Sequence, residues 1–152
     1  MSTLNVGDKA PAINTTDQNG NPVSLKDFKG KKIVLYFYPK DDTPSCTKEA
    51  CSFRDDYAKL KKKGYVVLGV SADTEKSHQK FIKKFDLPFT LLADTDKKIT
   101  EDYGVWGLKK FMGREYMGII RTTFVIDEKG KIERIIDKVE TAKAAEQILT
   151  EA

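Results

Sequence analysis

The chain has 152 residues, 39% of them hydrophobic and 33% charged, which is one domain's length and too apolar a mixture for a disordered chain, so a single domain over 1–152 is expected. Its net charge of +4 comes from lysines scattered as doublets and as one triplet, Lys61–Lys63 before Gly64, the pattern of solvated faces and helix ends rather than of a nucleic-acid surface. No apolar run approaches the roughly 20 residues of a membrane span, and MSTLNVGDKAP holds no signal-peptide core, so a cytoplasmic location is the expectation.

Ala12–Thr16 and Pro22–Leu25 flank the turn-forming Asn19–Gly20, which predicts an N-terminal hairpin. Lys32–Tyr38 and Tyr65–Ser71 are unbroken β-branched and aromatic runs, as in central strands covered on both faces. Between them Cys46–Lys63 carries Ala50, Phe53, Tyr57 and Leu60 at three- and four-residue spacing, one apolar helix stripe. Strand, helix and strand make a βαβ unit, hence a parallel pair with a right-handed crossover. A helix over Thr74–Phe85, packing through Phe81, Ile82 and Phe85, leads to a short strand, Phe89–Leu92. Asp94 and Asp96 read as the turn and cap of a helix over Asp96–Tyr103, closed by Gly104. Ile119–Ile126 and Lys131–Val139 enclose the turn DEKG as an antiparallel pair, and Thr141–Leu149 is a closing helix. The order predicts an α/β, thioredoxin-like fold: a central mixed β-sheet flanked by helices, with an N-terminal β-hairpin.

Both cysteines lie in YFYPKDDTPSCTKEAC, residues 36–51. Cys46 follows Pro44 and Ser45 at a loop-to-helix junction and is placed off the apolar stripe, which argues against a merely space-filling thiol. Two sulfurs and His78 fall short of four zinc ligands, so no metal and no other cofactor is expected. The spacing is C-x4-C, and the C-x-x-C pattern is absent. Five residues of α-helix advance about 7.5 Å and turn about 140°, placing the two Cα atoms roughly 8.6 Å apart. A disulfide needs about 4.4–6.8 Å. Helix and disulfide are therefore alternative states of one segment, an exclusion that suits a switch or a catalyst and suits a staple poorly.

A helix N-terminus favours a thiolate at Cys46 through its unpaired N–H groups and partial positive charge. For thiols in general, lowering the pKa from about 8.5 to about 6 raises the thiolate fraction at pH 7 roughly 30-fold but costs roughly 13-fold in nucleophilicity. Most of any fast reaction must then come from groups that position and polarise the substrate. Candidates are the Thr43 hydroxyl, the loop amides held by Pro39 and Pro44, and a cation from elsewhere in the chain.

The stretch PKDDTPSC fits the P-x-x-x-[TS]-x-x-C signature of peroxiredoxins, and the second cysteine five residues on resembles the atypical two-cysteine subgroup called peroxiredoxin Q or bacterioferritin comigratory protein. VGDKAP, VSLKDFKG, FTLLAD, YGVWG, FMGREYMGIIRTTFVID and DEKGKI fall in that family's order, so the likeness covers nearly the whole chain. The resemblance implies a thiol peroxidase of antioxidant defence, reducing hydrogen peroxide and organic hydroperoxides. By it, Cys46 is similar to the peroxidatic cysteine, which becomes a sulfenic acid, and Cys51 to the resolving cysteine that closes an intramolecular disulfide. Thr43 resembles the hydroxyl that hydrogen-bonds thiolate and peroxide, Pro39 the residue shielding the pocket, and Arg121 the active-site arginine. Thioredoxin or glutaredoxin is implied as reductant, and a monomer as the state. Ser45 stands where the family commonly has glycine, which narrows the pocket or changes the loop and leaves peroxide preference open.

Trp106 reads as core or pocket-wall packing, with contact to a reductant the alternative. His78, on a Lys-rich helix, reads as a solvated bystander, which disfavours a cysteine-hydrolase pairing with Cys46. The alternative function is a redox-sensing interaction protein built on the same helix-to-disulfide switch; a disulfide reductase is a third, against which the missing C-x-x-C counts.

Overall fold

Along β3 (Lys32–Phe37) side chains leave alternately to two sides, and both sides are apolar. Val34 and Tyr36 enter one core, and Ile33, Leu35 and Phe37 enter another. A strand buried on both faces belongs in the middle of a sheet. In this computed structural model, which describes residues 4–150, β3 is the central strand. The remaining residues of the expected 1–152 domain, 1–3 and 151–152, lie outside the described residues.

The sheet is completed by β4 (Tyr65–Ser71), β5 (Thr90–Ala93), β8 (Thr122–Ile126) and β9 (Ile132–Ile136), in the order β5-β4-β3-β8-β9. The β3–β4 and β4–β5 pairs are parallel, and the β3–β8 and β8–β9 pairs antiparallel, the mixed thioredoxin-like sheet expected. On one face lie α1 (Pro44–Asp55), α2 (Tyr57–Lys62), α3 (Glu75–Phe85) and α5 (Ala144–Thr150), packed through Phe53, Leu60, Phe81 and Ile148. The other face is covered by Ile99 of α4 (Lys98–Asp102), Tyr103, Ala10 and Ile13. Gly69 in β4 makes room for this packing: a Cβ there would stand 2.7 Å from Leu91 and 2.9 Å from Tyr36. The N-terminal hairpin, β1 (Asn14–Thr16) with β2 (Pro22–Ser24), forms as predicted. Among the described residues no helix is long and apolar enough to cross a membrane.

Three expectations change. The helix expected over 46–63 is two helices, α1 starting two residues earlier and ending where Asp56 leaves helical geometry (φ −106°, ψ 14°). The apolar stripe runs across that break, so periodicity alone could not show it. Ile119–Ile126 is not one strand either: β7 (Arg114–Ile119) ends before Ile120, whose N–H donates to Val105, and β8 begins at Thr122. Finally, residues 106–118, for which the sequence predicts no element, form with Ile119 a hairpin of β6 (Trp106–Phe111) and β7. Its turn, Met112–Gly113, has φ of 51° and 78°, and residues 111–117 are all exposed, so no buried face imposed an alternation to be read.

Candidate active site

Thr43, in extended geometry, is the N-cap of α1, and Pro44 takes the first helical position, where a missing N–H costs nothing. Cys46 is thereby the third residue of the helix, among first-turn amides that no helical carbonyl can satisfy. It is not off the apolar stripe, as the sequence reading had it. Cys46 is 2% exposed and packs with Ala50 and Phe53, four and seven residues on and so on one helix face. The stripe begins one turn earlier than its aromatic members suggest.

A buried sulfur need not be inert. Nη2 of Arg121 donates to Cys46 Sγ at 3.3 Å. Arg121 reaches it from the break between β7 and β8, where the chain leaves one ladder before entering the next. Its Nη1 donates to Oε1 of Glu49 at 2.6 Å. Burial opposes the guanidinium's charge, yet Glu49 and Cys46 together hold it more basic than usual.

Glu49 escaped the sequence reading, because a glutamate in TKEAC looks like a solvated helix residue. The available signal was its place three residues after Cys46, on the same face. It is fully buried, and its Oε2 has no partner. Burial raises its pKa from 4.5 to about 7, even though the Arg121 charge pulls the other way. The short contact and the raised pKa are compatible. With a pKa of about 7 the carboxyl passes between its two forms near neutrality, and Oε1 can accept from Arg121 in both.

Lys109 of β6 also joins the site, again unforeseen. Its Nζ donates to the carbonyl of Ile119 at 2.9 Å. Burial, and then the Arg121 charge, pull Lys109 below the usual lysine range, with Cys46 acting in the opposite sense. The Thr43 hydroxyl donates to Lys40 O at 2.9 Å, so its proton faces the loop and its oxygen is left to accept. Pro39 is half-buried at the start of that loop, and Ser45 is exposed. Cys51 is half-buried on the same intact α1, and both thiols are free. Trp106 is half-buried against the second core, with Lys97 Nζ 4.7 Å above its ring.

His78 is the clearest correction, since it is completely buried rather than solvated. Nε2 donates to Leu92 O at 2.9 Å, and Nδ1 forms a 2.7 Å hydrogen bond with Asp41 Oδ2. Tyr38 and Ser77 hydroxyls donate to Asp41, at 2.6 and 2.8 Å, and the Asp41 amide donates to Asp73 at 2.8 Å. These bonds tie the loop before Cys46 to α3, to β5 and to the turn after β4. Atoms of Asp41, Asp73 and His78 lie within 4.8 Å of one another, close enough for a metal, but the hydrogen bonds already account for each of them. Sequence could not reveal this, because burial of a Lys-rich helix face depends on what packs over it. The expected cap moves: α4 starts at Lys98 behind Lys97 in left-handed geometry (φ 63°), and Asp94 accepts from the amides of Ile99 and Thr100 in its first turn. A surface depression bounded by Ile13, Leu25, Phe28 and Ile126 shares no residue with the Cys46 constellation.

The sequence pattern of the AhpC/TSA family matches residues 6–135. The chain is 54% identical over 137 residues to a Coxiella burnetii protein described as putative peroxiredoxin bcp, covering 90% of this chain and 91% of that one. It is 46% identical over 149 residues to peroxiredoxin Bcp of Escherichia coli K12, covering 98% and 96%. The solved structure of the Xanthomonas campestris bacterioferritin comigratory protein, concerned with that protein's alkyl peroxide reduction activity, matches with a TM-score of 0.87 at 30% identity, covering 99% and 96%.

Proposed function

The chain belongs to the AhpC/TSA family and is a peroxiredoxin, a thiol-dependent peroxidase, and from that premise we propose that Cys46 is the sulfur that attacks the peroxide. The observation that carries the reading is the 3.3 Å contact from Arg121 to a thiol in the first turn of a helix that also bears a second thiol. A cation and unpaired amides converge where negative charge is held before attack and develops on oxygen during it.

The Cys46 thiolate attacks one peroxide oxygen; an S–O bond forms, the O–O bond breaks, and the departing oxygen takes up a proton to leave as water or alcohol. Arg121 steadies the thiolate and the developing oxyanion, the Thr43 oxygen accepts from the peroxide O–H, and Pro39 keeps water from the pocket. Cys51 then condenses with the sulfenic acid, releasing water and closing a disulfide, for which α1 must unwind. A dithiol protein, thioredoxin, supplies the two electrons and two protons that restore both thiols. Hydrogen peroxide and organic hydroperoxides are the substrates, the latter supported by the alkyl peroxide activity named for the Xanthomonas relative, and the enzyme works as a monomer.

The test is peroxide turnover coupled to NADPH through thioredoxin reductase and thioredoxin. Cys46→Ser should abolish it. Cys51→Ser should reduce about one equivalent of peroxide per chain, by the one sulfenic acid it can form, and fail to recycle. Retained turnover in Cys46→Ser overturns the assignment.

A further inference from the structure

Among the described residues, five of the six most exposed large apolar side chains sit on the β6–β7 hairpin: Leu108, Phe111, Met112, Tyr116 and Met117, from 46% to 85% accessible. Leu108 lies opposite Met117 across the ladder, while Phe111 and Met112 form the tip. The hairpin is a separate two-stranded sheet whose root, Trp106 and Ile119, packs into the second core while residues 111–117 stay exposed. Met112 holds a left-handed backbone (φ 51°) that asparagine or glycine adopts at less cost. A strained position that keeps an apolar side chain in water is an outlier that points to use.

Position and charge say what the use is. The root of the hairpin, Ile119, is two residues from Arg121, whose guanidinium touches Cys46, and Lys109 clips that root in place. Phe111 and Tyr116 share the hairpin face of Lys109, so this part of the exposed patch runs toward the redox site. Lys110 and Arg114 flank its tip, with Glu115 the one acidic side chain between the strands, 3.5 Å from Lys110. Phenylalanine, tyrosine, methionine and arginine are the residues enriched in protein interfaces, and methionine adapts to varied partners.

We propose that this hairpin is the docking surface for the protein dithiol that reduces oxidised enzyme, a partner apolar and acidic around its reactive cysteine. The proposal rests on the thioredoxin recycling set out above. A partner thiolate attacks one sulfur of the Cys46–Cys51 disulfide, forming a mixed disulfide and releasing the other as thiolate. The partner's second thiol then displaces the enzyme, leaving the partner oxidised and both enzyme cysteines reduced. That exchange needs two proteins held with sulfurs in contact, and an apolar ledge beside Cys46 holds one partner while its basic flanks steer an acidic one.

The test uses Phe111→Ser/Met112→Asn, in which asparagine also relieves the turn, and Lys110→Glu/Arg114→Glu. KM for thioredoxin should rise about tenfold or more in each, the change expected on losing an interface anchor. Stopped-flow oxidation by hydrogen peroxide and dithiothreitol-driven turnover should stay within about twofold of wild type, a spread smaller than any anchor loss. An unchanged KM in both variants overturns the docking proposal alone. So do variants in which oxidation by peroxide falls along with thioredoxin turnover, or in which only self-association or binding to anionic vesicles is lost. Wild-type enzyme that dithiothreitol recycles but thioredoxin does not instead removes the recycling reading, and this proposal with it.

Discussion

Replacing Glu49 by glutamine should remove a pH dependence from the stability of the reduced protein. Burial first, offset in part by Arg121, moves this carboxyl from 4.5 to about 7. The folded protein thus binds the proton more tightly than the unfolded chain does. The stabilisation is complete below about 4.5 and is lost as pH rises through about 7. At 1.36 kcal/mol per tenfold in proton affinity, the difference is about 3 kcal/mol. Glutamine mimics the protonated acid: its Oε1 keeps the Arg121 hydrogen bond, and its amide occupies the place of the unpartnered Oε2. That unsatisfied amide costs about 1–3 kcal/mol at every pH, so it cancels from the comparison. Urea unfolding of wild type and Glu49→Gln at pH 4 and pH 8 reads the effect directly, other carboxylates contributing equally to both proteins. Glu49→Gln should gain about 3 kcal/mol on wild type between the two conditions. A gap between the proteins that stays constant with pH would show the Arg121 attraction balancing burial, and one that moves the other way would show it outweighing burial.

Arg121→Met removes the donor 3.3 Å from Cys46, and oxidation by peroxide should slow by about 10²–10³-fold in stopped flow; a loss under about tenfold would leave the guanidinium no electrostatic role. Gly69→Ala places a methyl 2.7 Å from Leu91 and 2.9 Å from Tyr36, which should cost about 1–3 kcal/mol; an unchanged melting temperature would mean the sheet yields there. His78→Leu leaves the buried Asp41 carboxyl without its 2.7 Å hydrogen-bond partner and should lower stability by about 1–3 kcal/mol in urea unfolding, an argument that a wild-type midpoint contradicts. Oxidation to the Cys46–Cys51 disulfide should strip hydrogen-exchange protection from residues 46–53 of α1, whereas equal protection in both redox forms would show that the bond closes without unwinding.

Local signals carried the sequence reading where structure is local. β3 and β4 are legible because a strand buried on both faces must be apolar throughout, and Tyr65–Ser71 is found at the predicted bounds. Cys46 is placed in a first turn because Thr43 and Pro44 start helices by their own backbone chemistry, and Cys51 follows on the same helix by counting. Glu49, His78 and Lys109 needed the tertiary structure. Each is a polar side chain whose meaning comes from what covers it, and that cover arrives from distant segments: Arg121 over Glu49, Leu92 and Asp41 around His78, Ile119 against Lys109. The gap between β7 and β8 that frees Arg121 to reach a sulfur 75 residues away is likewise hidden inside the apolar run Ile119–Ile126. Residue types along a chain determine which segments become strands and helices; desolvation and charge pairing, which make the chemistry, act through space and are decided only when those segments pack.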